Sequence, residues 1–565
     1  MGNPEGTTRV CYNGEIYNHR DLRRSLEAKG HAFRTRCDTE ALVHLYDEYG
    51  PEMLDHLTGM FAFGLYDTRR RRLLLARDRL GQKPLYYFFS NGTLAFASEM
   101  QALIHAPGCP RDIRPQSVHD YLTYQYIPAP YTIYRNVWKL PPASRLVVTA
   151  SAPPPQPKRY WQPDFATKTD LSFRESAELL DDAVQARLMS DVPLGAFLSG
   201  GIDSSVVVAL MARRTGRPVR TFTIGFSDRK YDERMHGQTV ARRYDTEHHT
   251  RVVDPRDFET VRRLVRHYGE PYSDASMLPT ALLAAFTREQ VTVALSGDGA
   301  DEIFGGYYRY LVMGWTRLFD LLPLPMRRRA ARMLLHFAPS RREERTMVSR
   351  VRRILQLAES GSHAERYHDL ITRFPELLKQ SVYGPALKER NLTPSRRILE
   401  HAFRAATARD PVEQVAEVDL HTYLPGDILT KVDIASMTHS LEVRSPFLDH
   451  RVVEFSASLP WGFKQQGFQR KRVLLGACDD LLPPSVRNRP KMGFGVPLAR
   501  WFRSDWEPLL REILLDPVSE GNGFFSREGV EALLREHCQL KADRSYGLWA
   551  LLIFQLWYAE FHNAQ

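Results

Sequence analysis

The sequence predicts two folds in one chain: an α+β domain of stacked sheets over residues 1–160, then an α/β domain built on a parallel sheet over residues 171–565. Three observations carry this reading. At 565 residues the chain exceeds the roughly 250–300 residues at which single cores stop growing. Short apolar segments dominate residues 11–160, whereas beyond residue 171 long helical segments alternate with short apolar runs. Between the two lies Ala152-Pro153-Pro154-Pro155-Gln156-Pro157, a stretch barred from helix and sheet interiors because proline lacks the amide donor.

In the first part, the alternating segment 61–66, the runs 73–76 and 85–89, and the run 94–97 after the turn Ser90-Asn91-Gly92 read as strands. A helix is expected over 21–29, with Leu22 and Leu26 on one face and Gly30 as its stop, and another over 39–49. In the second part, the runs 194–198, 220–224 and 291–295 each end in a glycine-containing loop and alternate with helices. That is the pattern of a parallel sheet covered by helices. Ligands of such sheets bind at the carboxyl ends of the strands, so these loops are where chemistry is expected.

Composition narrows the class. Hydrophobic residues at 43% and charged residues at 25% are ordinary for a globular protein. No apolar run approaches the ~20 residues that span a bilayer, and the polar start Met1-Gly2-Asn3-Pro4-Glu5 lacks the basic and apolar regions of a signal peptide. Cys11, Cys37, Cys109, Cys478 and Cys538 are scattered, odd in number and without a C-x-x-C pair, so neither a disulfide framework nor a zinc site is suggested. These features predict a reduced, cytosolic home and no membrane partner. The net charge of +10 is concentrated in segments such as Arg327-Arg328-Arg329 and Arg352-Arg353, read as solvated helical faces rather than a nucleic-acid surface.

The strongest signal is Leu198-Ser199-Gly200-Gly201-Ile202-Asp203-Ser204-Ser205, set between an apolar strand and a helix over 206–213. Two glycines let the backbone turn tightly against a ligand, and serine hydroxyls with helix amino-terminal amides supply donors to an anion. No lysine follows the glycines, so this is not the loop that cradles β and γ phosphates. A second loop, Ser296-Gly297-Asp298-Gly299-Ala300-Asp301-Glu302-Ile303-Phe304-Gly305-Gly306-Tyr307, follows the run 291–295. Carboxylates beside a phosphate loop make sense if a divalent cation, magnesium by default, is held against polyphosphate.

The first loop resembles the pyrophosphate loop of ATP pyrophosphatases. Taken with Tyr231-Asp232-Glu233, Glu270-Pro271, Tyr423-Leu424-Pro425-Gly426-Asp427-Ile428-Leu429-Thr430-Lys431-Val432-Asp433, Leu441-Glu442-Val443-Arg444-Ser445-Pro446-Phe447-Leu448-Asp449-His450 and Arg489-Pro490-Lys491-Met492-Gly493-Phe494-Gly495-Val496-Pro497, it resembles the synthetase domain of glutamine-hydrolysing asparagine synthetases. The resemblance implies ATP and Mg2+, with aspartate, and glutamine or ammonia, as small-molecule substrates. It implies that Leu198 and Ile224 contact adenosine, that Ser199, Gly200, Gly201, Ser204 and Ser205 hold pyrophosphate, and that Ser296 and Gly297 line the nucleotide. Asp203 and Asp301 match magnesium ligands, Asp298 an acidic position tied to adenylate formation, and Lys471 the lysine facing the adenylate, although Leu475 stands where the family commonly has arginine.

The amino-terminal domain carries Asn13-Gly14-Glu15-Ile16-Tyr17-Asn18, Asp38-Thr39-Glu40, Gly59-Met60-Phe61-Ala62-Phe63, Ala76-Arg77-Asp78 and Gly81-Gln82-Lys83-Pro84-Leu85-Tyr86-Tyr87. These resemble the same family's glutaminase domain, an amino-terminal-nucleophile fold. The resemblance implies an oxyanion hole at Asn13 and Gly14, and a grip on glutamine by Glu15 and Asp38. The family's nucleophile is a cysteine directly after the initiator methionine, where Gly2 stands here, and its opening strands would precede Asn13. An incomplete glutaminase domain is therefore expected, with Cys11 a buried structural residue on the strand that carries Asn13.

The resemblance thus implies asparagine formation through a β-aspartyl-adenylate by a homodimer. It leaves open a relative acting on another carboxylate, such as a cyclase, and a synthetase that has lost its glutaminase and uses free ammonia. An RNA-modifying pyrophosphatase-loop enzyme would bring basic stripes and paired cysteines, and the pairs are absent. A catalytically dead scaffold with exposed sheet edges fits poorly with an intact phosphate loop.

Overall fold

The computed structural model describes residues 1–149, 156–169, 172–228, 231–254, 256–337, 347–489, 493–517 and 521–562. Most of the proline-rich segment, and Pro490-Lys491-Met492 of the last motif, lie outside the described residues.

The amino-terminal part is two antiparallel sheets. The first runs in the order β1-β2-β3-β7-β8, from β1 (Thr8–Ile16), β2 (Gly59–Asp67), β3 (Arg72–Arg77), β7 (Ser144–Thr149) and β8 (Lys158–Arg159). The second, β5-β4-β6, comprises β4 (Tyr86–Ser90), β5 (Thr93–Ala97) and β6 (Val137–Lys139). The segment 61–66 reads as alternating, yet β2 is buried on both faces. Phe61, Phe63 and Leu65 pack under the helix Asp38–Tyr49 with Leu42, Leu45 and Tyr46. Ala62 on the opposite face joins Leu75, Tyr87 and Leu146 between the sheets. Gly64 makes the stacking possible, because any Cβ there would overlap the Phe96 ring.

The carboxyl-terminal part is a five-stranded parallel sheet in the order β11-β10-β9-β12-β13, from β9 (Leu194–Phe197), β10 (Arg220–Gly225), β11 (Glu247–Val252), β12 (Val293–Leu295) and β13 (Glu442–Arg444). One face is covered by the helices Phe173–Arg187 and Ile202–Arg214 through Val184, Val206 and Leu210. The helix Met277–Arg288 covers the other, with Leu283 and Phe286 against Phe222 and Ile224. The chain leaves β9 outward to β10 and β11, then returns on its other side to β12, so the crevice of a reversed strand order opens between β9 and β12.

Two sequence expectations are corrected. Cys11 is exposed, not buried. It does share β1 with Asn13, but β1 is an edge strand whose Arg9 and Cys11 point away from the face carrying Val10. Arg327 of the triple-arginine run is buried, because it donates to the carbonyls of Ala358 (2.8 Å) and Ser360 (2.5 Å) and pairs with Asp320 (3.0 Å). Arg328 and Arg329 are exposed as expected.

The halves share a core. The helix Ser545–His562 is apolar all round, as a buried helix must be, and packs Trp549, Ala550 and Trp557 in one cluster with Tyr121 and Tyr134 of the amino-terminal part. Tyr121 donates to the Ala550 carbonyl at 2.8 Å. Buried Lys83 reaches across to Asp433 at 2.7 Å. Among the described residues no helix is long and apolar enough to cross a membrane.

Candidate active site

The loops after β9 and β12 meet at the crevice. Leu198 is buried just past β9, its amide donating to the Phe222 carbonyl at 2.9 Å, and Ile224 is buried on neighbouring β10. Gly200 adopts φ +69°, a left-handed conformation in which a Cβ would run into the backbone of His236. The Ser199 hydroxyl lies 3.1 Å from that of Ser204 and accepts the Gly201 amide at 3.2 Å, closing the loop on itself before the helix Ile202–Arg214. That helix presents its amino terminus to the crevice, where unpaired amides favour an anion.

Gly297 brings the second loop onto the first: a Cβ at this position would sit 2.7 Å from the Asp203 Cβ and 3.0 Å from the Ser204 amide nitrogen. The hydroxyls of Ser205 and Ser296 are buried with no protein partner among the described residues. Buried polar atoms are ordinarily paired, and these two are exceptions on the residues that flank the crevice. Asp298 is anchored through its carbonyl, which accepts the Ser445 hydroxyl at 2.6 Å. Gly299 (φ +88°) turns the chain into the short helix Ala300–Ile303 that carries Asp301.

Lys471 ties the two acidic positions together. Its ammonium pairs with Asp203 and, at 2.7 Å, with Asp301. Its backbone is left-handed (φ 53°), immediately before the helix Arg472–Ala477, a conformation costly for a side chain with a Cβ. Gly306 leaves room for it, since a Cβ there would overlap both Asp301 and the Lys471 side chain. Leu475, standing where arginine was expected, packs its side chain against the apolar cluster under the sheet.

Around these loops the structure adds Arg489, which donates to the Ser199 carbonyl at 3.0 Å and pairs with Glu233 at 2.7 Å. Beside Asp298 lies a buried set on the motif 423–433. Lys431 pairs with Asp274 at 2.9 Å, and Tyr272 hydrogen-bonds Asp427 in a π-helical turn. Burial raises the Asp427 pKa to about 7, and the nearby Asp274 charge adds to the rise. Burial also acts to raise Asp274, but the Lys431 ammonium and hydrogen bonds from Ser276 outweigh it and hold that carboxyl at about 2.

The expected glutamine residues gather apart from the crevice. Asn13, Gly14 and Glu15 lie on β1 opposite Ala62, Phe61 and Met60. Asp38 begins the helix Asp38–Tyr49 and accepts the Tyr12 hydroxyl (2.8 Å) and the Ile16 amide (3.0 Å). Gly14 holds a positive φ of 153° and lies so near β2 that a Cβ would overlap the Met60 carbonyl. Glu15 is raised to about 7, burial outweighing the Arg444 charge that opposes it. Its carboxylate pairs with Arg444 of β13 at 3.1 Å, so the two sites touch through one ion pair.

The asparagine synthase family model matches residues 175–559, the whole of the parallel-sheet domain. The chain belongs to the asparagine synthase family. A glutamine amidotransferase domain model matches residues 1–161. Among its relatives, the glutamine-hydrolyzing asparagine synthetase 1 of Bacillus subtilis (strain 168) is 33% identical over 97% of this chain and 85% of that protein. A putative glutamine-hydrolyzing asparagine synthetase of Mycobacterium tuberculosis (strain H37Rv) is 34% identical over 99% of this chain and 86% of its own length. The asparagine synthase domain therefore supplies the crevice, and the amidotransferase domain the set around Glu15 and Asp38. Arg489 and Arg444 stand in motifs visible in the sequence, but their partners lie 290 residues away in one case and in the other domain in the second. No local pattern encodes such pairings.

Proposed function

We propose that this protein forms asparagine from aspartate, ATP and an amide nitrogen taken from glutamine or ammonia, releasing AMP and pyrophosphate through a β-aspartyl-adenylate. The observation that carries the reading is the convergence of the loops after β9 and β12 on Lys471, with Asp203 and Asp301 both paired to its ammonium.

In this reading Leu198 and Ile224 flank the adenosine. Ser199, Gly200, Gly201, Ser204 and Ser205 with the helix amino terminus hold the departing pyrophosphate, and Ser296 and Gly297 line the nucleotide. The aspartate β-carboxylate attacks the α phosphorus, and the bond to the pyrophosphate oxygen breaks. Two anions must meet for this, so a preorganised cation in a water-poor site lowers the barrier. Lys471, buried and fixed, is that cation. Two carboxylates directed at one cationic centre also suit a magnesium ion, which is commonly held by one or two carboxylates together with substrate phosphates. Asp203 and Asp301 would hold it, and it would supply charge neutralisation of the polyphosphate. Asp298, anchored by Ser445, faces the adenylate. Ammonia then attacks the acyl carbon, AMP leaves with the carboxylate oxygen, and the nitrogen gives up a proton to a nearby base.

Asn13 and Gly14 serve as the oxyanion hole for the amide donor, and Glu15 and Asp38 grip its amino-acid end. The working division of the chain is 1–160 for this role and 171–565 for the synthetase. We place the enzyme in the cytosol, where five cysteines without a C-x-x-C pair stay reduced, and as a homodimer on the strength of the family resemblance. The test is isotopic. With aspartate labelled by oxygen-18 in its β-carboxylate, one labelled oxygen appears in AMP; label found only in inorganic products or retained in aspartate would refute the adenylate.

A further inference from the structure

We propose that Arg444 is a positioning residue that couples the amide-donor site of the amino-terminal domain to the adenylating loop of the synthetase domain. The inference rests on the reading of Glu15 and Asp298 given above, and deepens it. Arg444 ends β13 and is nearly fully buried. Its guanidinium is held from three directions: by Glu442 at 2.6 Å, by the Met189 and Arg187 carbonyls at 2.7 and 3.3 Å, and by Glu15 of the amino-terminal domain at 3.1 Å. The buried ring of Tyr17, two residues beyond Glu15, lies 5.6 Å from the same guanidinium.

The backbone of the same segment reaches the other site. The Arg444 carbonyl accepts the Ser296 amide at 2.9 Å, and the hydroxyl of the next residue, Ser445, donates to the Asp298 carbonyl at 2.6 Å. One dipeptide thus reads the charge of Glu15 on its side-chain end and fixes Ser296 and Asp298 on its backbone end. A planar fork with several fixed partners suits this task better than a lysine, which is a single mobile point charge. When the α-ammonium of glutamine takes up the Glu15 carboxylate, that carboxylate is shared between two cations and its hold on Arg444 weakens. The loop bearing Asp298 then responds to occupancy of a site in the other domain. Coupling free energies between sites are typically worth about fivefold or more in affinity, and a change of about that size is expected here.

The test leaves glutamine out. Pyrophosphate release by the full chain is measured with ATP, magnesium, aspartate and ammonium chloride for the parent, Glu15→Gln, Arg444→Lys and the double variant. Ammonium has no use for Glu15 as a ligand, so on this proposal a Glu15 substitution reaches the reaction through its ion pair with Arg444. The expected result is a fall of about fivefold in kcat for Glu15→Gln at unchanged KM for ammonium and unchanged melting temperature, with the double variant no slower than Arg444→Lys alone. If Glu15→Gln folds poorly, Glu15→Asp, which keeps the charge but shortens the reach, carries the same expectation. Unchanged kcat in the Glu15 variants, or effects that multiply independently in the double variant, overturns the coupling while leaving the synthetase reading intact. Absence of aspartate-dependent release in the parent overturns that reading itself, and the coupling with it.

Discussion

Lys471 holds a left-handed backbone conformation and places its ammonium between Asp203 and Asp301. Replacing it with methionine leaves the two carboxylates without their shared ammonium and, on the proposed function, removes one of the charges that screen the reacting anions. Aspartate-dependent pyrophosphate release by Lys471→Met should fall by about 10²–10³-fold, the scale of losing one preorganised electrostatic group. Lys471→Arg should not rescue it, because Gly306 leaves space only for a narrow side chain. Nearby, Asp427 links folding to pH. Its folded pKa, about 7, exceeds the ordinary value of 3.8, so the folded state keeps a proton that the unfolded chain releases. Stability is lost as pH rises from about 4 to 7 and the loss is complete above that. Thermal melts at pH 5 and pH 8 should therefore show a smaller drop for Asp427→Asn than for the parent. The identity of such residues was legible in ordered motifs, but their electrical state was not. Asp427 and Asp274 are 153 positions apart in number, and both feel the Lys431 charge; their pKa shifts are opposite because folding gives Asp274 the hydrogen bonds of Lys431 and Ser276, while burial and the Asp274 charge raise Asp427. Cys11 and Arg327 were misread for a related reason: which face of a strand or helix is covered depends on distant segments.

At the scale of elements, the loops were more legible than the strands between them. Gly200 and Gly297 are glycines because the turn and the close approach to the neighbouring loop exclude a Cβ, and that requirement shows in sequence as paired glycines. The strand β11, Glu247–Val252, was invisible: it is polar and largely exposed at the sheet edge, paired only to β10. The strand β2 was visible, but its two-sided burial was not, since alternation normally marks a strand with one wet face. Its stacking hangs on Gly64. A Gly64→Val substitution must push Phe96 aside or part the two sheets, and overpacking of this sort costs about 1–3 kcal/mol. Urea unfolding should report that loss, and an unchanged midpoint would mean the sheets are less tightly stacked than the Gly64–Phe96 approach requires.

At the scale of the molecule, the apolar helix Ser545–His562 and the residues around Tyr121 and Tyr134 form one cluster across the amidotransferase and synthetase parts, supported by Lys83–Asp433 and Glu15–Arg444. A core held in common predicts a single calorimetric unfolding transition. Two well-separated transitions would show that the parts unfold as independent units. This sharing was not legible beforehand, because the composition shift and the prolines near residue 155 mark a change of architecture and say nothing of the surfaces that meet. The most direct test of the central claim is pyrophosphate release by the purified full chain with ATP and magnesium, with and without aspartate, using ammonium chloride or glutamine as the nitrogen source. The structure predicts release that requires aspartate and yields asparagine and AMP in equal amounts; a folded sample that releases no pyrophosphate in response to aspartate would contradict it.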